Sequence, residues 1–226
     1  MKHETRLNGN PLGLYGANLV GFSVGPCERS KSYLIPSGRL IPVKLTYQIG
    51  LRRIALECDF EGRDYREIAM NISKVTSMLQ KEAKLFLPDG FYYWCELDSV
   101  SEPKEKAPWI ERVTFSFSGF RHDRPHTEVV TNGSVVNVEG NCNTPVKVVI
   151  TPSDGASTVT FGDITVNSVE GTITIDGIYT TITDEDGNNI FSNSNMTEWP
   201  FFKPGKNPIS VTGASKVEVT YYPIYL

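Results

Sequence analysis

Residues 43–81, VKLTYQIGLRRIALECDFEGRDYREIAMNISKVTSMLQK, carry a change of period that decides how the first half of the chain folds. Val43, Leu45, Tyr47 and Ile49 alternate with polar residues, and Ile54, Leu56, Cys58 and Phe60 repeat the pattern against Arg53, Glu57 and Asp59. Period two puts one face inward and the other toward water, which is the pattern of a strand. Gly50-Leu51-Arg52 between the two runs is expected to close a hairpin. After Gly62 the spacing changes: Ile68, Ile72, Val75 and Leu79 recur at intervals of four, three and four, one face of a helix. Asp64 is a suitable N-cap, and Glu67 three residues later resembles a capping box.

Working outward, Leu7–Pro26 reads as turns around a short apolar piece, Leu19 to Val24. Cys27–Arg39 is polar and basic and reads as an excursion from the core. Downstream, Pro88-Asp89-Gly90 signals a turn before a strand through Tyr93, Cys95 and Leu97. Residues 101–108, SEPKEKAP, read as an exposed loop, and Val113, Phe115 and Phe117 alternate as a further strand. The stretch Phe120–Pro125 marks a domain boundary, giving domains 1–128 and 129–226. In the second domain, short β signals are centred on Val136, Val148, Val159, Ile173, Ile178–Ile182, Ile209 and Val219. No helical period appears among them, so this half reads as an antiparallel sandwich.

At 226 residues the chain suits two domains, each able to bury its own core. Hydrophobic content of 39% and charged content of 21% fit a globular protein. No apolar run approaches the roughly 20 residues that cross a bilayer, and no secretory signal is visible. The reading is of a cytosolic product with no membrane partner. Residues 1–128 hold 18 Lys and Arg against 16 Asp and Glu, and residues 129–226 hold 4 against 10. That balance does not fit a protein that reads nucleic acid by phosphate contacts.

Candidate chemistry is sparse. Cys27, Cys58, Cys95 and Cys142 lack the paired spacing of zinc or redox motifs, and Cys58 and Cys95 fall at apolar strand positions. His122 and His126 flank a boundary loop. Asp184–Asn188 is acidic, but the position six residues after Gly187 is Asn193, where a calcium loop needs Glu. No phosphate loop and no nucleophile elbow occurs. The expectation is no catalytic residue, no metal and no cofactor. Trp199, beside Phe201 and Phe202, is a candidate platform for stacking on a sugar, set against a buried role at the end of the sandwich.

Several ordered stretches resemble the distal tail (Dit-type) protein family of long-tailed phages: LNGNPLGLYGANLVGFSVGP, IGLRRIALECDFEGRDYREIAMNISKVTSML, LFLPDGFYYWCELDSV, RVTFSFSGFRHD, GNCNTPVKVVI, GTITIDGIYTTI and FFKPGKNPISVTGASKVEVTYYPIYL. The resemblance implies a mostly β protein, with a tail-tube-like β-sandwich and flanking helix followed by a galectin-like sandwich. It implies a homo-hexameric ring in the virion tail tip, assembled in the host cytoplasm. The ring would join the tail-tube protein to the tail-tip protein and to a receptor-binding protein, and pass DNA during ejection. It implies no enzymatic activity. The second domain carries no insertion of the kind that adds a carbohydrate-binding module to longer members.

A ring protein needs edges or arms that meet its neighbours. The expected arm is Cys27–Arg39, where Tyr33, Leu34 and Ile35 stand among Arg29, Lys31 and Arg39. Three adjacent apolar side chains there would contribute several kcal/mol if a neighbour buried them, at about 25 cal/mol per Å2, less the cost of ordering. Folding back onto its own domain is the alternative. Trp109 is a second interface candidate.

Overall fold

The computed structural model describes residues 4–34 and 43–226. They divide into two compact units, one ending at His122 and the other running Asp123–Tyr225. The division falls ahead of 128/129 because His126–Val130 pairs along Ala214–Tyr221 and so belongs to the second unit.

The first unit contains β1 (Arg6–Leu7), β2 (Asn10–Pro11), β3 (Ala17–Leu34), β4 (Val43–Glu61), α1 (Tyr65–Lys81), β5 (Ala83–Phe86), β6 (Tyr92–Val100), β7 (Lys104–Ala107) and β8 (Ile110–His122). The strands form one antiparallel sheet in the order β2-β1-β5-β6-β8-β4-β3, with β7 also on β8. Ile54, Leu56, Cys58 and Phe60 of β4 and Val113, Phe115 and Phe117 of β8 are all buried, as their alternation requires. Ile68, Val75 and Leu79 of α1 join the same core, and Ile72 packs against it partly buried. The helix begins where Asp64, in extended backbone, accepts from Glu67 N at 2.7 Å. Glu67 in turn accepts from Arg63 N at 2.8 Å, one residue ahead of the cap.

Two expectations change at β3 and β4. The segment read as turns and then an excursion is, from Ala17 to Leu34, one strand. Gly25-Pro26 does not end it: Val24 pairs with Ile54 and Cys27 with Arg52, so both residues oppose the single Arg53 in a bulge. A bulge is where a strand tolerates a residue without an N–H. Nor does Gly50-Leu51-Arg52 close a hairpin. The strand continues, and Gly50-Leu51 opposes the single Glu28 in a second bulge on the other side. Gly50 takes no positive φ, and a Cβ there would lie 3.2 Å from Glu28 Cβ, so the glycine serves a close approach of strands.

The second unit contains β9 (His126–Val130), β10 (Val135–Val138), β11 (Thr144–Pro152), β12 (Thr158–Phe161), β13 (Ile164–Asn167), β14 (Ile173–Asp176), β15 (Thr181–Thr183), β16 (Phe201–Phe202), β17 (Gly205–Pro208), β18 (Val211–Thr212) and β19 (Ala214–Tyr221). The main sheet runs β15-β14-β11-β19-β9, with β16 also on β11. A pair, β10-β17, and a triplet, β13-β12-β18, complete it. All three enclose one core that includes Val138, Val148, Phe161, Val166, Ile175 and Val219. The strand expected from Ile178 starts only at Thr181. Asp176 Oδ1 accepts from Ile178 N at 2.9 Å and from Tyr179 N at 3.0 Å, which folds the intervening residues into a turn.

Candidate assembly surface

The first candidate surface is the far half of the β3–β4 hairpin. β8 pairs with β4 only along Arg52–Glu61, so Val43–Leu51 has β3 as its one partner among the described residues. At ~3.3 Å per residue this two-stranded ribbon reaches about 25 Å past the sheet. Arg29 pairs with Ile49, Lys31 with Tyr47, Tyr33 with Lys44 and Leu34 with Val43. Ile35 and Arg39 lie outside the described residues. At the ribbon's base Arg52 is buried and donates to Gly25 O at 2.8 Å across the bulge. Arg53 Nε meets Glu28 Oε1 at 2.9 Å beside it. Beyond this base no third strand joins the ribbon among the described residues, and such a sheet edge is a surface on which another strand can pair.

The second surface is a hairpin tip. Residues 104–107, read as loop, form the exposed strand β7, and Ala107 pairs with Ile110. Pro108 and Trp109 make the two-residue turn, with Trp109 at φ 65. A bulky residue in this left-handed region is strained, and glycine is usual at the second position of such a turn. The indole is held 5.0 Å from the ring of Tyr65, whose hydroxyl donates to Glu105 at 2.8 Å. That hydrogen bond, ahead of burial, raises the Tyr65 pKa. Trp109 is still 45% exposed, so the contact fixes the ring without hiding it.

The groups with possible chemistry are occupied structurally. Burial pushes the Cys58 and Cys95 thiols up to about 12, leaving them un-ionised at neutral pH. His122 is buried against Trp94 at 4.2 Å, and His126 stacks on Tyr221 at 5.5 Å. Asp184 accepts from Asn188 N at 2.8 Å in a tight turn where Gly187 takes φ 84. The Arg112 guanidinium grips Asp59 at 2.7 and 2.9 Å, holding its carboxyl below the usual range. Among the described residues no three His, Cys, Asp or Glu side chains gather as metal ligands would. None of their helices is long and apolar enough to cross a membrane.

In the second unit Trp199 is half-buried, packed on the core on one side and 5.9 Å from the ring of Phe191. It lines a cleft of about 530 Å3 with Phe161, Asn195, Lys203, Lys206 and Asn207. Sequence reasoning singled out Trp199 but not the cleft, whose walls come together from segments far apart in the chain.

No family profile matches the sequence, and no curated protein does. Solved structures do. The Dit protein (gp 19.1) of phage SPP1, described as a paradigm of the hub adsorption apparatus in phages infecting Gram-positive bacteria, superposes with a TM-score of 0.71 at 13% identity, over 99% of each chain. A chain of the phage P2 baseplate in its activated conformation with calcium gives 0.63 at 10% identity, over 94% of this chain and 92% of that one. The strontium form gives 0.62 with the same identity and coverage. This protein, mostly β with one helix among its described residues, therefore carries the fold of the SPP1 Dit protein over nearly its whole length.

Proposed function

We propose that the protein is a structural component of a phage or prophage-derived tail tip. In this reading it assembles as a homo-hexameric ring that joins the tail tube to the tail-tip and receptor-binding apparatus and lets DNA pass during ejection. The observation that carries the reading is the full-length likeness to a hub adsorption protein. The two-stranded ribbon supports it, because a long pair of strands with open edges suits a contact with a neighbouring subunit. Arg29, Lys31, Tyr33, Leu34, Ile35 and Arg39 supply that contact, and Trp109 is a second anchor at the hairpin tip. Partners are a second copy of the chain, the tail-tube protein, the tail-tip protein and a receptor-binding protein. The second unit is the galectin-like domain and projects from the ring. The protein works by shape and interfaces, with no reaction of its own, no cofactor and no sequence-specific hold on nucleic acid.

Negative-stain images of the purified protein at high concentration, with light scattering for mass, test this. Rings of six are expected, alone or on addition of tail-tube protein. Monomers that ignore both tail-tube and tail-tip proteins would overturn the reading.

A further inference from the structure

The Trp199 cleft has the size of a small-ligand site, about 530 Å3, within the ~300–1,000 Å3 range of such pockets. Its walls are fixed. Asn195 Oδ1 accepts from Thr165 N at 2.7 Å, and Asn207 Oδ1 accepts from Lys203 N at 2.8 Å. Both amides spend their donors on backbone carbonyls as well, Asn195 on Asp163 O and Asn207 on Lys203 O. Phe202, also in the lining, is buried, and Trp199 packs partly buried against the same core.

The charges at the rim are unspent. Lys147 and Lys216 of this unit reach Asp176 and Glu218, at 3.8 and 3.5 Å. Lys203 and Lys206, both at the cleft, make no ion pair among the described residues, and neither do Asp163 and Glu198 beside them. The rim thus offers two cationic donors and two anionic acceptors around one aromatic face. Their formal charge sums to zero, so the cleft has no pull on a polyanion. A rim this polar does not suit an aliphatic ligand either. A polyol meets all of it: neighbouring hydroxyls both donate and accept, and the C–H face of a sugar ring suits an indole.

We infer that this cleft is a subsite for a neutral hexose glycan, stacked on Trp199, with its hydroxyls held by Lys203, Lys206, Asp163 and Glu198. The inference stands whether or not the protein forms a ring. A ring would add avidity by presenting several copies of the site.

The test uses the full chain, titrated with neutral glucan, galactan and mannan oligosaccharides and, separately, with poly(glycerol phosphate). Tryptophan fluorescence and calorimetry supply the readouts. Saturable binding to at least one neutral oligosaccharide is expected, with little response to the polyanion. Trp199→Ala should abolish it. Because that change also touches the core, Asp163→Ala and Lys203→Ala, both on exposed positions, serve as the second arm. Each should weaken binding by about tenfold, the loss of one good interaction, with an unchanged circular dichroism spectrum. Absence of saturable binding to every neutral oligosaccharide, binding to the polyanion alone, or undiminished affinity in the Asp163 and Lys203 variants would overturn the inference.

Discussion

Asp64 decides where the helix begins, and its role can be measured alone. Asp64→Ala removes the acceptor for Glu67 N, and a loss of about 1 kcal/mol is expected as a lower thermal midpoint. The Asp59–Arg112 pair gives a pH signature. Its folded-state carboxyl pKa lies below the unfolded value, so the pair stabilises the fold at and above neutral pH. That contribution is lost as pH falls through the folded pKa. Asp59→Asn should therefore cost stability at pH 7, and the gap to the parent should narrow steadily in acid denaturation. Asp64, Glu67 and the buried faces of β4 and β8 were legible because cap chemistry and period two act locally. The left-handed Trp109 was not legible, since its conformation runs against the propensity of a bulky residue and is held by Tyr65, forty-four positions away in sequence. Trp109→Gly relieves the strain and loses the ring contact. The two effects oppose, so subunit stability should shift by less than about 1 kcal/mol while assembly weakens.

At the level of elements, the β3–β4 ribbon shows what glycine and proline do and do not tell. Gly25-Pro26 and Gly50 announce a break in a ladder. Whether the chain reverses there or bulges depends on its partner strand, and a single segment does not contain that information. Here both breaks are bulges, one on each strand, and the extended hairpin survives them. Gly162-Asp163, by contrast, does reverse the chain, as a two-residue hairpin turn between Phe161 and Ile164. Replacing residues 29–49 by Asn-Gly should leave a first unit that melts within a few degrees of the parent, because among the described residues those strand segments pair only with each other, while β8 meets β4 along Arg52–Glu61. The same variant should remain monomeric by light scattering under conditions in which the parent assembles.

For the whole molecule, each unit has its own buried cluster, which the composition and the absence of a helical period after Pro125 foreshadowed. The three-part sheet arrangement of the second unit was less legible, since strands as short as Phe201–Phe202 and Val211–Thr212 carry too few residues to show a period. Residues 123–225 produced alone should unfold in one cooperative transition followed by calorimetry. The pairing of His126–Val130 with Ala214–Tyr221 sets the first long strand of that unit beside its last. Entry and exit of the polypeptide are therefore adjacent, so recombination could move the unit as a cassette, and rejoining its ends to open new ones elsewhere would need only a short tether.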